Sequence, residues 1–391
     1  MGRFLPFILL YVCFLPADAA GKQGQTALIS QKLTGSGFEN VRVYRRGDTL
    51  SVSIEDPVFR WNVDGIRGAL DTIAAYANAE DQVLLYVLVK DIPRIVVKAN
   101  AKEWDKAPAV EYVEYGLTGE LKAVSPLNPS VNKIDFVLYP QFALQNTLLS
   151  QIYEIQLNIA PAVEVSLWKG MLFTGQVIFP LKNDLGYEGD FIRPGFVTLA
   201  QEFCAPRRWF GRFVIGNFNA NRYGTDLTLS HPLTDYRWEF GLNAGLTGSS
   251  CFYDGQWITS EIKQLTWFVR TRYYYPKYNL QLDLSYGRYI NSDYGLRADC
   301  TRHFGATTIG FYAMHTGGEL NGGFHFSVPL PPGKRNRRHA LRMIPPGFFD
   351  WEYNAGTEFY YGRYYETRPN ENRSEHWINP GFIKNELLNS F

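Results

Sequence analysis

From Lys133 onward, apolar and polar residues alternate with a period of two, and no other feature limits the fold of this chain so strongly. In the stretch Tyr236 to Leu246, Tyr236, Trp238, Phe240, Leu242, Ala244 and Leu246 alternate with Arg237, Glu239, Gly241, Asn243 and Gly245. The same rhythm sets Leu280, Leu282, Leu284 and Tyr286 against Gln281, Asp283, Ser285 and Gly287. It sets Leu265, Trp267, Val269 and Tyr273 against Thr266, Arg270 and Arg272, and Leu320, Phe324, Phe326 and Val328 against Asn321, Gly323, His325 and Ser327. Successive side chains of a strand point to opposite faces, so each run builds one apolar and one polar face. Each has about the ~9–11 residues of a tilted strand crossing hydrocarbon, and turn residues separate the runs.

The expected fold is mainly β: a transmembrane antiparallel up-and-down β-barrel preceded by a small periplasmic α/β domain. Counting runs from Lys133 to Val328, and adding 350–362, leads to about 12 strands with 14 as the alternative, since single-chain bacterial barrels have even numbers. A secreted sandwich or propeller would have to hide the outward aromatics in a core, and no blade-like repeat is present. Composition agrees with a barrel. The 391 residues include 25 Tyr and 27 Phe, the mean hydropathy of -0.21 is too polar for a helical membrane protein, and barrels carry aromatic girdles around a polar interior. The terminal Phe391 also suits a barrel, although the approach from Asn385 to Ser390 does not alternate as a last strand would. The last membrane strand is therefore expected near Trp351 to Tyr365, with a tail behind it.

Ahead of the alternating region the chain divides into three. Arg3, the apolar run Phe4 to Leu15 and the small residues around Ala17, Ala19 and Ala20 read as a signal peptide over 1–20, the run being too short to span a bilayer. Residues 21–103 read as the α/β domain: a helical pattern at Thr26 to Leu33, strands at Phe38 to Tyr44 and Thr49 to Ile54, a helix presenting Leu70, Ile73, Ala74 and Ala77, and strands at Gln82 to Lys90 and Arg94 to Ala99. Arg46-Gly47-Asp48 matches an adhesion tripeptide, yet Gly-Asp between two strands is what a tight hairpin needs. Residues 104–130 are polar and proline-bearing and read as a linker with one short pairing segment, leaving 131–391 as the barrel.

Catalytic motifs are absent: there is no Gly-x-Ser-x-Gly, His-Glu-x-x-His, phosphate-binding loop or calcium loop. His303, His315 and His325, with Asp299 and Glu319 nearby, leave a barrel hydrolase open as a minor reading. The bland alternative is a set of hydrogen-bonded interior residues. Arg237, Glu239, Arg270, Arg272 and Asp283 alternate with apolar neighbours and are expected to point inward with His325. On the lipid face an Arg or Lys would cost ~2–4 kcal/mol near the midplane. They either contact a solute or polymer or fill the interior as ion pairs. The basic run Lys334, Arg335, Arg337, Arg338 and Arg342 lies within a proline-bounded segment, 329–346, which excludes a continuous strand. It is expected to be a solvated loop, or else a plug or a contact for acidic sugars. After the leader, Cys204, Cys251 and Cys300 permit one disulfide plus a spare thiol, or three small apolar residues. A formal net charge of +1 argues against nucleic acid as a partner.

The stretch Gly323 to Pro332, the basic run behind it, the sequence Thr357-Glu358-Phe359-Tyr360-Tyr361-Gly362-Arg363-Tyr364, and Trp61 followed by Gly65-Ile66-Arg67-Gly68-Ala69-Leu70 resemble the YjbH/GfcD family of outer-membrane proteins. That resemblance implies a non-catalytic component of exopolysaccharide or capsule production or export, in the bacterial outer membrane with its N-terminal domain in the periplasm. Its implied partners are the bilayer, the exopolysaccharide and other export proteins. It implies no cofactor, metal or catalytic residue. Longer relatives duplicate the α/β-plus-barrel unit, for which this chain has room only once. A general porin or solute channel is the competing reading.

Overall fold

A computed structural model describes residues 17–146, 153–337, 340–355, 361–371 and 378–389. The apolar run of the leader, Thr357 to Tyr360 and Phe391 lie outside the described residues. The fold is mainly β, with two sheets. Among the described residues no helix is long and apolar enough to cross a membrane.

The first sheet has five strands in chain order: β1 (Glu39–Arg46), β2 (Thr49–Glu55), β3 (Gln82–Val89), β4 (Ile92–Asn100) and β5 (Ala109–Tyr112). Gly47, at φ +59°, makes the β1–β2 turn and accounts for the Arg-Gly-Asp sequence. β2 and β3 are parallel, which requires a crossover, and helix α2 (Asn62–Tyr76) supplies it. The buried face of α2 (Val63, Ile66, Ala69, Leu70 and Ile73) packs with Ile29 and Leu33 of helix α1 (Ala17–Gly35) against Leu50, Val52, Ile54, Leu85, Ile95 and Val97. Arg45 clasps the buried Asp81 at 2.6 Å beside this core.

The stretch 104–130, expected as a linker, folds onto this domain. β5 extends the sheet beside β4, helix α3 (Gly119–Ala123) lies on its other face, and Leu127 bridges to Val41. The signal lies in single apolar residues: Val113 and Leu121 bury with Tyr86, Leu88 and Val96 in a second small core, where no long periodic run would reveal them.

The second sheet contains long strands β6 (Ile134–Asn146), β7 (Tyr153–Trp168), β8 (Met171–Asn183), β9 (Arg193–Ala205), β10 (Trp209–Phe218), β11 (Arg222–Pro232) and β12 (Trp238–Tyr253). It continues through β14 (Gln264–Tyr275), β15 (Leu280–Arg288), β16 (Tyr294–Phe304), β17 (Thr307–Thr316) and β18 (Glu319–Pro329). Neighbours in sequence pair antiparallel along this path, while β13 (Gln256–Thr259) folds back on β12. At the two ends, short β19 (Leu341–Ile344) runs parallel to β6, and β20 (Phe348–Asn354) pairs antiparallel with β18. No hydrogen-bonded ladder joins β6 to β20 among the described residues. The sheet nevertheless curls until they approach, with the rings of Phe142 and Trp351 6.0 Å apart.

Polarity is distributed as the alternation predicts. Trp238, Phe240, Leu242, Leu246, Leu265, Val269, Leu282, Leu284, Tyr286, Leu296, Ile309 and Phe311 are exposed on the outer face. Thr247, Thr266, Gln281, Asp283, Asp299, Thr301, His303 and His325 are buried on the inner one. All three described cysteines are free, so the disulfide alternative falls away. Cys300 is exposed between Leu282 and Phe311 on the outer face and is not a core residue.

Candidate functional site

The inner face of the large sheet and the underside of the first domain enclose a cavity of about 740 Å³. Most charges on its wall neutralise one another across strands. Arg272 on β14 lies between Asp283 on β15, at 2.7 Å, and Glu239 on β12, at 3.4 Å. Arg297 on β16 binds Asp299 at 2.9 Å and Glu352 of β20 at 2.7 Å, with its guanidinium 4.0 Å from the centre of the Tyr312 ring. A buried charge is tolerable only when paired and hydrogen-bonded, and these two clusters meet that condition. His325 joins the second through Asp299, at 3.6 Å.

Arg237 departs from expectation. It has the parity of Glu239, but β12 begins at Trp238, and Arg237 stands exposed in the preceding turn away from the cavity wall. Arg270 does face the cavity, exposed, and has no ion pair among the described residues. The histidines do not converge. His303 is buried against Gln281 at 3.0 Å and the Phe382 ring at 4.9 Å, whereas His315 is exposed on the outer face. Among the described residues no three His, Cys, Asp or Glu side chains group as metal ligands.

The basic run is irregular ahead of β19, with Lys334 exposed and with Arg335, Arg337 and Arg342 lining the cavity. It is a strap between the first domain and β6. Gly333 accepts from the Arg60 N–H at 3.0 Å, and the Arg335 N–H donates to the Val58 carbonyl at 2.7 Å. The Lys334 ammonium sits 4.8 Å from the Phe59 ring centre. Arg337 pairs with Asp135 at 2.6 Å and Glu39 at 3.2 Å, and Arg342 with Asp135 at 2.7 Å. Arg338 lies outside the described residues. The pairing of Arg337 and Arg342 was not legible in the sequence because their neutralising partners are distant along the chain.

At the same junction Asp56 is buried. Its Oδ1 accepts from the Val58 and Phe59 N–H groups at 2.9 Å each, and the absence of a side chain at Gly65 leaves room for its Oδ2. Burial pushes its carboxyl up to about 7. Burial likewise raises the neighbouring Glu55, which accepts from the Lys90 and Asp91 N–H groups.

One element of the site was not anticipated. Behind β20, segment 361–371 crosses the interior of the curled sheet. The Gly362 N–H donates to Asp293 at 2.7 Å in the β15–β16 turn, at the end remote from the first domain. Tyr365 donates to Asp226 at 2.9 Å and stacks on Phe218 with ring centres 5.3 Å apart. Arg212 donates to the Thr367 hydroxyl at 2.5 Å, and Asn370 donates to the Phe348 carbonyl at 3.0 Å, back at the first-domain end. Helix α4 (Pro380–Asn389) follows, burying Phe382, Ile383 and Leu387 in the first domain's core.

Compared with known family models, curated proteins and solved structures, the chain matches none.

Proposed function

We propose that the large sheet, with its twelve long strands and short β20 curling round to approach β6, is an outer-membrane β-barrel, and that the first domain is periplasmic. On this reading the protein is a non-catalytic component of exopolysaccharide or capsule production or export. The supporting observation is the inverted polarity of the sheet, with Phe240, Leu242, Val269, Leu282 and Leu284 exposed outside and Arg272, Asp283, Arg297 and Asp299 neutralised inside. Water would favour the opposite arrangement, whereas lipid demands this one. The polysaccharide assignment comes from the resemblance to the YjbH/GfcD family. The first domain, locked to one rim by the basic strap, offers a surface for other export proteins.

The segment crossing the interior favours this reading over a general porin, because it occupies the space an open solute path would need. The placement of His315 on the outer face, apart from His303 and His325, weighs against the hydrolase reading. Deleting the gene is expected to lower extracellular polysaccharide while leaving small-solute permeability unchanged. Normal polymer output in the deletion strain overturns the proposal.

A further inference from the structure

We propose that Arg270 and Arg363 are anion-binding groups of the cavity wall, suited to the carboxylate or phosphate groups of an acidic saccharide. The inference rests on the reading of the large sheet as a barrel that handles polysaccharide, and it specifies the charge class of that polymer.

Most guanidinium groups on this wall are already committed. Arg272 and Arg297 each hold two carboxylates, Arg94 pairs with Glu202 at 3.1 Å, and Arg368 pairs with Glu371 at 3.6 Å. Arg212, without a carboxylate, is nevertheless bound to Thr367. Arg270 and Arg363 differ: both line the cavity, both are exposed, and among the described residues neither has an ion pair or a side-chain hydrogen bond. Structural arginines in a confined interior acquire partners, so two left open in one chamber have the character of a binding device.

The wall around Arg270 is shaped to leave it accessible. Its register neighbours are Gly241 on β12 and Ser285 on β15, and Gly241 is followed by Ser230 on β11. These small side chains leave the guanidinium room to turn toward an incoming group. Arg363 is held at the β15–β16 turn, where Ile290 donates its N–H to the Arg363 carbonyl at 3.1 Å. Glu371, on the same wall, is engaged by Arg368 at 3.6 Å. A guanidinium presents a planar fork of donors that matches carboxylate and phosphate oxygens, and inside a confined chamber such a charge-assisted bond is stronger than in open water.

The test uses the full-length protein purified in detergent, with binding followed by calorimetry for an oligogalacturonate, a sugar phosphate and neutral maltohexaose. The wild type is expected to bind at least one anionic ligand and not maltohexaose, with affinity falling as salt rises. Arg270→Gln and Arg363→Gln should each weaken binding about tenfold, and Arg270→Lys less, while Arg237→Gln, at the exposed turn outside the cavity, should leave it unchanged. Which anion binds distinguishes a uronate from a phosphate site. Thermal melting matched to wild type establishes that a variant is folded. Equal binding of maltohexaose, binding of no anionic ligand, or undiminished binding by folded Arg270→Gln and Arg363→Gln overturns the inference. Polymer output in the deletion strain reports separately on the export role, so either proposal can fail alone.

Discussion

Arg342 grips Asp135 through two bonds, from Nε at 2.7 Å and Nη2 at 2.9 Å, and its Nη1 donates to the Pro57 carbonyl at 2.6 Å. One guanidinium thus joins the strap, the first long strand of the large sheet and the loop entering α2. Arg342→Ala would strand the Asp135 carboxylate at a largely enclosed position, with only Arg337 to compensate it. Breaking such a pair from one side costs about 3 kcal/mol. Limited proteolysis should then release the first domain faster than in wild type, with the large sheet intact. Equal cleavage rates in both proteins would contradict the strap.

Leu284 and Ser285 are adjacent on β15 and differ in face: Leu284 is 48% exposed outside, and Ser285 lines the cavity beside Arg270. If the outer face meets lipid, Leu284→Arg costs ~2–4 kcal/mol at mid-depth, and Ser285→Arg much less. Folding into lipid vesicles, read by the mobility shift between heated and unheated samples on a gel, should be impaired by the first and not the second. A soluble sheet would tolerate Leu284→Arg.

Asp56 supplies a pH signature for the junction. Its carboxyl is raised from an ordinary 3.8 to about 7, chiefly by burial. Between those values the folded protein holds a proton that the unfolded chain has released. Its stabilising contribution is therefore full below about pH 4 and is lost as pH rises through about 7. Asp56→Asn keeps an oxygen to accept from Val58 and Phe59 and removes the titration. The melting temperature of wild type relative to Asp56→Asn should fall between pH 5 and pH 8. Parallel curves for the two would show that Asp56 does not titrate there.

How much of this was legible in the sequence depends on the range of the interactions involved. Leu282, Leu284 and Ser285 could be assigned to faces because the direction of a strand side chain follows from its parity. Arg237 shares the parity of Glu239, but parity carries meaning only inside the strand, and β12 starts one residue later. The positive charge of Arg337 and Arg342 was visible, whereas Glu39, Pro57 and Asp135 are brought to them only by the tertiary fold. Gly362 to Tyr365 fell within the expected last strand, Trp351 to Tyr365, but β20 ends at Asn354 and the segment 361–371 forms no ladder. Much of its hold on the wall comes through side chains, such as those of Asp226, Arg212 and Asp293.

That segment carries the last prediction. Tyr365 is its main anchor, since its ring stacks on Phe218 and its hydroxyl both donates to Asp226 and lies 3.2 Å from the Thr266 hydroxyl. Thr367 adds the bond from Arg212. Truncating this half-buried aromatic to alanine costs about 2 kcal/mol, which shifts a local equilibrium about thirtyfold toward release. With the segment seated, wild-type protein in a planar bilayer should be nearly silent. Tyr365→Ala combined with Thr367→Ala should produce frequent, larger openings, whereas Tyr365→Phe, which keeps the stack, should remain close to wild type. If the double variant conducts no more than wild type while inserting equally well, the segment does not control passage through the barrel. Large, steady conductance in the wild type would instead point to an open channel.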